Sequence, residues 1–193
     1  MKKNLIVIVI LLLNFFTVSA QSTYKLTSAK NMVKGTSTLH DWQCVVENQT
    51  GSAVINTRGT LAVTSLNISM DVKSIKSVKE DGSYYDANMD KNAYKALNAD
   101  KFPEITYKLI STASVKTNGN TTTLTATGDL TIAGKTNRVT FPVKAVVAGN
   151  NVTFTGSTKF KMTSFGLKPP TALMGTIKTG DDLTIVIKTT FGK

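Results

Sequence analysis

Leu66, Ile68, Met70 and Val72 alternate without a break against Asn67, Ser69, Asp71 and Lys73. A period of two puts the first set on one face of a strand and the second on the other, the pattern of a half-buried strand. Residues 103–114, 121–132, 137–147 and 152–162 read the same way, and the chain closes with Leu183, Ile185 and Ile187 alternating up to Phe191. Upstream, residues 24–28 form a short opening strand. Residues 35–47 read as the first long one, with Trp42, Cys44 and Val46 on one side, and residues 53–63 as the next. Asn-Gly-Asn at 118–120, Gly-Lys at 134–135 and Gly-Asn at 149–150 have the chemistry of tight hairpin turns, and residues 48–51 that of a looser one. The sum is an all-β chain of eight main strands in up-and-down order. Such an order leaves two exposed edges unless the sheet closes. About eight strands close into a barrel that holds side chains or one small ligand. A two-sheet sandwich also fits this pattern.

The period changes in one place. Met89, Ala93 and Leu97 recur every fourth residue, and Tyr94 falls three before Leu97. That spacing predicts a short helical insert near residues 88–100 with one apolar face. Asn88 or Asp90 is expected to cap its start. Pro103 ends any continuation and pushes Phe102 to an extended conformation. The insert then feeds directly into the strand that carries Ile105, Tyr107 and Leu109. In an all-β chain such a helix lies on a sheet face, as core packing, or across the mouth of a barrel, as a cap.

Residues 1–20 are read separately. Lys2 and Lys3 precede an unbroken apolar run over residues 5–13, and Val18, Ser19 and Ala20 offer the small residues that a signal peptidase reads. This is the pattern of a secretory signal peptide, too short for a stable membrane span. Cleavage is expected before Gln21, leaving one domain over residues 21–193. No cysteine follows the cut and no twin arginine precedes it, so general secretion without a lipid anchor is expected.

The remaining composition narrows the chemistry. The chain carries a formal +11, and removing Lys2 and Lys3 leaves +9. The lysines are scattered along the strands, as solvated outward faces require. Without an aromatic and basic motif, nucleic acid is not an expected partner; an anionic membrane surface suits the charge better. Cys44 is the one cysteine and shares parity with Trp42 and Val46, so it is expected to be buried and unpaired. His40 is the one histidine, and its neighbour Asp41 points to the opposite face of a strand, so the two make no catalytic dyad. Asp81, Asp86 and Asp90 lack the spacing and glycine of a calcium loop. No glycine-rich phosphate loop is present. No catalytic residue, metal or cofactor is expected, and the chain does not read as an enzyme.

Apolar binding needs no motif. Each buried methylene contributes roughly 0.8 kcal/mol, so ten give about 8 kcal/mol before the cost of immobilisation. A hollow barrel with a helical cap would therefore hold an elongated hydrophobic, lipid-like ligand. The expected contacts are Trp42 and Phe165, the strand face of Leu66, Ile68, Met70 and Val72, and Met89, Tyr94, Leu97 and Phe102 of the insert and its exit. The alternative is a filled barrel acting as an envelope stress or interaction protein.

Four segments carry a family resemblance. They are residues 35–42 (GTSTLHDW); residues 86–89 (DANM) with Tyr94 and residues 101–105 (KFPEI); residues 128–136 (GDLTIAGKT) running on to Val139 and residues 141–143 (FPV); and residues 165–170 (FGLKPP) with residues 178–181 (KTGD). In this order they span nearly all of residues 21–193, and the chain resembles the YceI-like, lipocalin-like proteins. The resemblance implies an eight-stranded antiparallel barrel over an elongated apolar cavity, a polyisoprenoid or related lipid as ligand, and a periplasmic location. In the common family pattern a His-Leu pair stands in the helical insert where Asn88 and Met89 stand here.

Overall fold

The computed structural model describes residues 22–193; the expected leader lies outside them. Strands β1 (Ser22–Ala29), β2 (Met32–Gly35), β3 (Trp42–Val46), β4 (Gln49–Asn56), β5 (Ala62–Asp71) and β6 (Ile75–Val78) lead to helix α1 (Ala87–Ala96). Strands β7 (Glu104–Asn118), β8 (Thr121–Ile132), β9 (Lys135–Ala148) and β10 (Asn151–Lys161) follow in hairpin rhythm. The small strands β11 (Thr171–Ala172) and β12 (Ile177–Lys178) precede the last strand, β13 (Asp182–Gly192).

Strands β1, β4, β5, β7, β8, β9, β10 and β13 pair antiparallel in that order, and β1 pairs with β13 to close the ring. The fold is a closed eight-stranded antiparallel barrel with one short helix, which decides the barrel against the sandwich. Closure removes the two edges that an open sheet of this order would expose.

Three of the wall strands are broken at one level. β1 leaves β13 at Thr189, and β2 takes up the same partner at Val186. β3 precedes β4 in the same way, and β6 follows β5 after a 3-10 turn over Val72–Ser74. The expectation of one strand over 35–47 is thus corrected: β2 ends at Gly35, a loop intervenes, and β3 starts at Trp42. The expected turn at 48–51 is also corrected, because Gln49 already belongs to β4. The expected strand 53–63 is instead the end of β4 and the start of β5. Polar side chains stitch the breaks. Asn31 is buried; its side-chain amide donates to Gln49 Oε1 at 2.7 Å, and its Oδ1 accepts the Lys188 backbone N–H. The Asn48 backbone N–H donates to Ser74 Oγ at 2.9 Å. Each interrupted ladder keeps its polar groups paired, which burial demands.

The two ends of the barrel differ. At one end the connections are short: residues 57–61, 119–120 and 149–150. At the other lie the loop 36–41, the segment 79–103 with α1, and the segment 162–181 with the β11–β12 hairpin. The tight β8–β9 turn is the exception there. The short-turn end is packed solid around Tyr24, Ile55, Leu61, Leu124, Val152, Phe154 and Phe191.

α1 starts one residue before the expected span 88–100 and ends four residues before its end, and its cap is Asp86 rather than Asn88 or Asp90; the Asp86 carboxylate accepts the Asn88 N–H at 2.8 Å. At the other end Asn98 takes the left-handed conformation, φ 50°. Its N–H donates to Lys95 O and that of Ala99 to Tyr94 O, a Schellman ending with asparagine in glycine's usual place.

Candidate functional site

Inward positions follow from register. Cross-strand partners share a face, so Tyr107 of β7, Ile68 of β5 and Leu130 of β8 point into the barrel together. By the same pairing Ile185 of β13 faces inward with Val33 and Thr158. Burial along this inner face is graded. At the short-turn end most inward side chains are shut off from water, Tyr24 at 2 % and Val152 and Phe191 at 0 % exposed, with Leu26 and Val147 beside them half-buried; at the long-loop end Ile132 and Leu183 are buried as well. Towards the long-loop end Val33, Trp42, Met70, Tyr107, Leu130, Val139, Phe160, Ile185 and Ile187 are only half-buried although they face inward. A side chain on the concave wall retains water-accessible area only where the space in front of it is unfilled. More of the inner face is sealed at the short-turn end, and more of it keeps accessible apolar area towards the long loops.

The candidate residues fall into three groups. Trp42, Val72, Met89, Tyr94 and Leu97 come together around Cys44, Ile75 and Ala99, so the apolar face of α1 covers the inner side of β3 and β6. Leu66, Ile68 and Met70 belong to the barrel core, with Met70 nearest the open half. Phe102 and Phe165 join neither cluster. The Phe102 ring lies over Gly134 in the β8–β9 turn, with the Lys101 ammonium 5.2 Å from its centroid. Phe165 is buried edge-to-face against Phe160, 4.9 Å between centroids. Absent from the sequence-derived set are Val33, Tyr107, Leu130, Val139, Phe160, Ile185 and Ile187. Their alternation gives their parity, but parity does not tell which end of a strand borders open space.

Polar anchors hold α1 in place. The Asp90 carboxylate, 2 % exposed, accepts the Ser77 N–H at 2.7 Å and the Tyr84 hydroxyl at 3.0 Å, with the Lys76 ammonium 3.6 Å away. Burial pushes its pKa up, but those hydrogen bonds and Lys76 outweigh burial and hold it below the ordinary 3.8. The Tyr94 hydroxyl donates to Ile75 O at 2.8 Å. Cys44 is buried and free, and burial, aided by Asp90, pushes its thiol up to about 12. Tyr107 is likewise pushed up to about 12, by burial and then by Asp129, and its hydroxyl is buried without a hydrogen-bond partner.

Two clefts lie elsewhere. One of about 370 Å³ sits beside α1 between Lys73, Lys91, Lys95, Asn98 and Asp100. The other, about 710 Å³, crosses β1, β4, β5 and β7. Its polar side chains, among them Lys25, Thr50, Asn67, Thr106 and Lys108, have the parity opposite to the inward Leu26, Ile68 and Tyr107, so it is a groove of the outer surface. Among the described residues no three His, Cys, Asp or Glu side chains gather as metal ligands would. Asp81 accepts from Ser83 and Asp86 caps α1, so both are engaged in local structure.

A closed eight-stranded antiparallel barrel with one flanking helix is the lipocalin-like fold. The YceI-like domain model matches residues 16–191, and the chain belongs to that family. Among curated proteins no sequence matches it. Three solved structures show the same fold. BcnA of Burkholderia cenocepacia superposes with a TM-score of 0.66 at 19% identity, covering 84% of this chain and 95% of that one. A polyisoprenoid binding domain from Saccharophagus degradans, implicated in plant cell wall breakdown, gives 0.63 at 9% identity, covering 88% and 97%. The YceI protein of Campylobacter jejuni gives 0.58 at 17%, covering 78% and 84%.

Proposed function

We propose that this protein is an exported, non-enzymatic carrier that holds an elongated hydrophobic ligand, a polyisoprenoid or related lipid, in the open half of the barrel. The carrying observation is the graded inner face: apolar side chains from Val33 to Ile187 remain half-buried on a concave wall whose far end is packed solid. Accessible apolar area on a concave surface is released from water only by an apolar occupant. The polyisoprenoid-binding relative with the same barrel supports this ligand class. The sequence of residues 1–20 supports export to the periplasm, with the mature protein starting at Gln21.

The test is mass spectrometry of an organic extract from protein purified natively from its own host. A co-purifying long-chain lipid in near-stoichiometric amount is the expected result. An extract without a hydrophobic compound, from protein that also takes up no lipid when offered it, counts for the filled-barrel reading.

A further inference from the structure

The large apolar side chains left in water are unevenly placed. Leu39 is 66% exposed, Tyr84 51%, Tyr85 44%, and Met174 fully so. These four belong to the long-loop end, whereas Ile110 and Val115 on β7 and Val186 on β13, the other large apolar side chains exposed among the described residues, stand singly along the barrel wall. Leu39 sits in the β2–β3 loop, Tyr84 and Tyr85 between β6 and α1, and Met174 in the tip of the β11–β12 hairpin. Hydrogen bonds make these segments one rim. The Thr38 N–H donates to Lys178 O at 2.9 Å, and the Lys178 N–H donates back to Thr38 Oγ1 at 3.1 Å. On the other side His40 Nε2 lies 3.1 Å from the Tyr85 hydroxyl, with the rings edge-to-face at 5.7 Å. Ser37 Oγ accepts the Leu39 and His40 N–H groups, so the loop that presents Leu39 is held in shape.

We propose that the rim of Leu39, Tyr84, Tyr85 and Met174 is a docking surface for the headgroup layer of an anionic lipid bilayer. The proposal rests on the reading of the lumen as a lipid site, since the rim stands at the end where the lumen is open. Its chemistry suits that layer: two aliphatic side chains at protruding tips, with tyrosines that pair an apolar ring with a polar end. Exposed apolar side chains gathered at one end of a molecule mark a contact surface, unlike ones scattered singly. Around the rim Lys34, Lys79, Lys168 and Lys178 stand against Asp41, Glu80, Asp81, Asp86 and Asp181, so insertion of the apolar tips, not local charge, holds the protein there. The whole chain has 23 Lys and Arg against 12 Asp and Glu, which favours an anionic membrane over a neutral one.

Sedimentation with vesicles of phosphatidylethanolamine and phosphatidylglycerol tests this, comparing wild type with the double variant Leu39→Glu, Met174→Glu. Both side chains are in water, so the fold is expected to survive; Leu39→Ser with Met174→Ser serves if it does not. The variant should bind vesicles at least about tenfold more weakly, and raising salt to about 0.5 M should weaken the wild type less than the substitutions do. Uptake of a long-chain fluorescent lipid delivered from cyclodextrin should be equal in the two proteins. A variant that sediments like wild type overturns the proposal. So does a wild type that does not sediment, which leaves the rim to a protein partner. If neither protein takes lipid from cyclodextrin while the vesicle difference persists, the docking surface stands and the lumen reading falls.

Discussion

Asp90 of α1 reaches across to β6 and accepts the Ser77 backbone N–H at 2.7 Å from a site that is 2 % exposed. One carboxylate thus ties the helix to β6, the last strand of the sheet order, whose strand partner is β3. Deleting it leaves the Ser77 N–H without its partner and removes the acceptor of the Tyr84 hydroxyl.

Asp90→Ala is therefore expected to cost about 1–3 kcal/mol, the range for leaving a buried polar group unpaired. Urea unfolding measures the loss, and hydrogen exchange should place the loosening in α1. The carboxyl's folded pKa is lowered, so its contribution is complete above the ordinary carboxylate value of 3.8 and disappears as pH falls through the depressed folded value. In Asp90→Asn that part of the acid sensitivity below about pH 4 should be gone.

Cys44 is buried beneath α1 and its thiol is raised to about 12, so the thiolate that reacts is scarce and shielded. Native protein should be labelled by a thiol reagent orders of magnitude more slowly than protein in denaturant. Fast labelling in the native state would place α1 off its sheet for much of the time.

Gly128 and Tyr107 form a second pair. The Tyr107 ring lies flat over Gly128 of the neighbouring strand, where a Cβ would collide with it. Gly128→Ala should destabilise by about 1–3 kcal/mol, because the ring has to shift within a packed wall. Tyr107→Phe keeps the ring and removes a buried hydroxyl that has no partner, so it should be neutral or stabilising by up to about 1 kcal/mol. Thermal or urea unfolding of the two variants checks both signs. A large loss in Tyr107→Phe would mean that the hydroxyl is paired.

The barrel was legible in the sequence where local pattern and global fold agree. Leu66, Ile68 and Met70 alternate because their strand has one wet and one dry face, and the structure places all three inside. The parity of Trp42, Cys44 and Val46 held for the same reason. The breaks at Asn31, Asn48 and Ser74 were not legible. They depend on hydrogen bonds to residues 18 and 26 positions away, and an asparagine beside a strand reads locally as a turn. The cap falls at Asp86, outside the pair Asn88 and Asp90 that the spacing points to, because Asp90 is engaged at the Ser77 N–H of β6, a contact the local sequence does not show. Which inward side chains keep accessible area was hidden from sequence altogether. Ile185 and Phe191 share one strand and one parity, and only the ring of neighbours makes the first half-buried and the second sealed.

The central claim is that the long-loop half of the barrel is a space for an apolar chain. Thr158 faces inward there, opposite Ile185, and is half-buried. Filling that space with Thr158→Trp and titrating wild type and variant with a long-chain fluorescent polyisoprenoid analogue tests the claim most directly. Saturable binding to wild type and a loss of at least about tenfold in the variant are expected, with the β-sheet circular dichroism of both unchanged. Equal binding by a folded Thr158→Trp protein, or no binding by wild type, would contradict it.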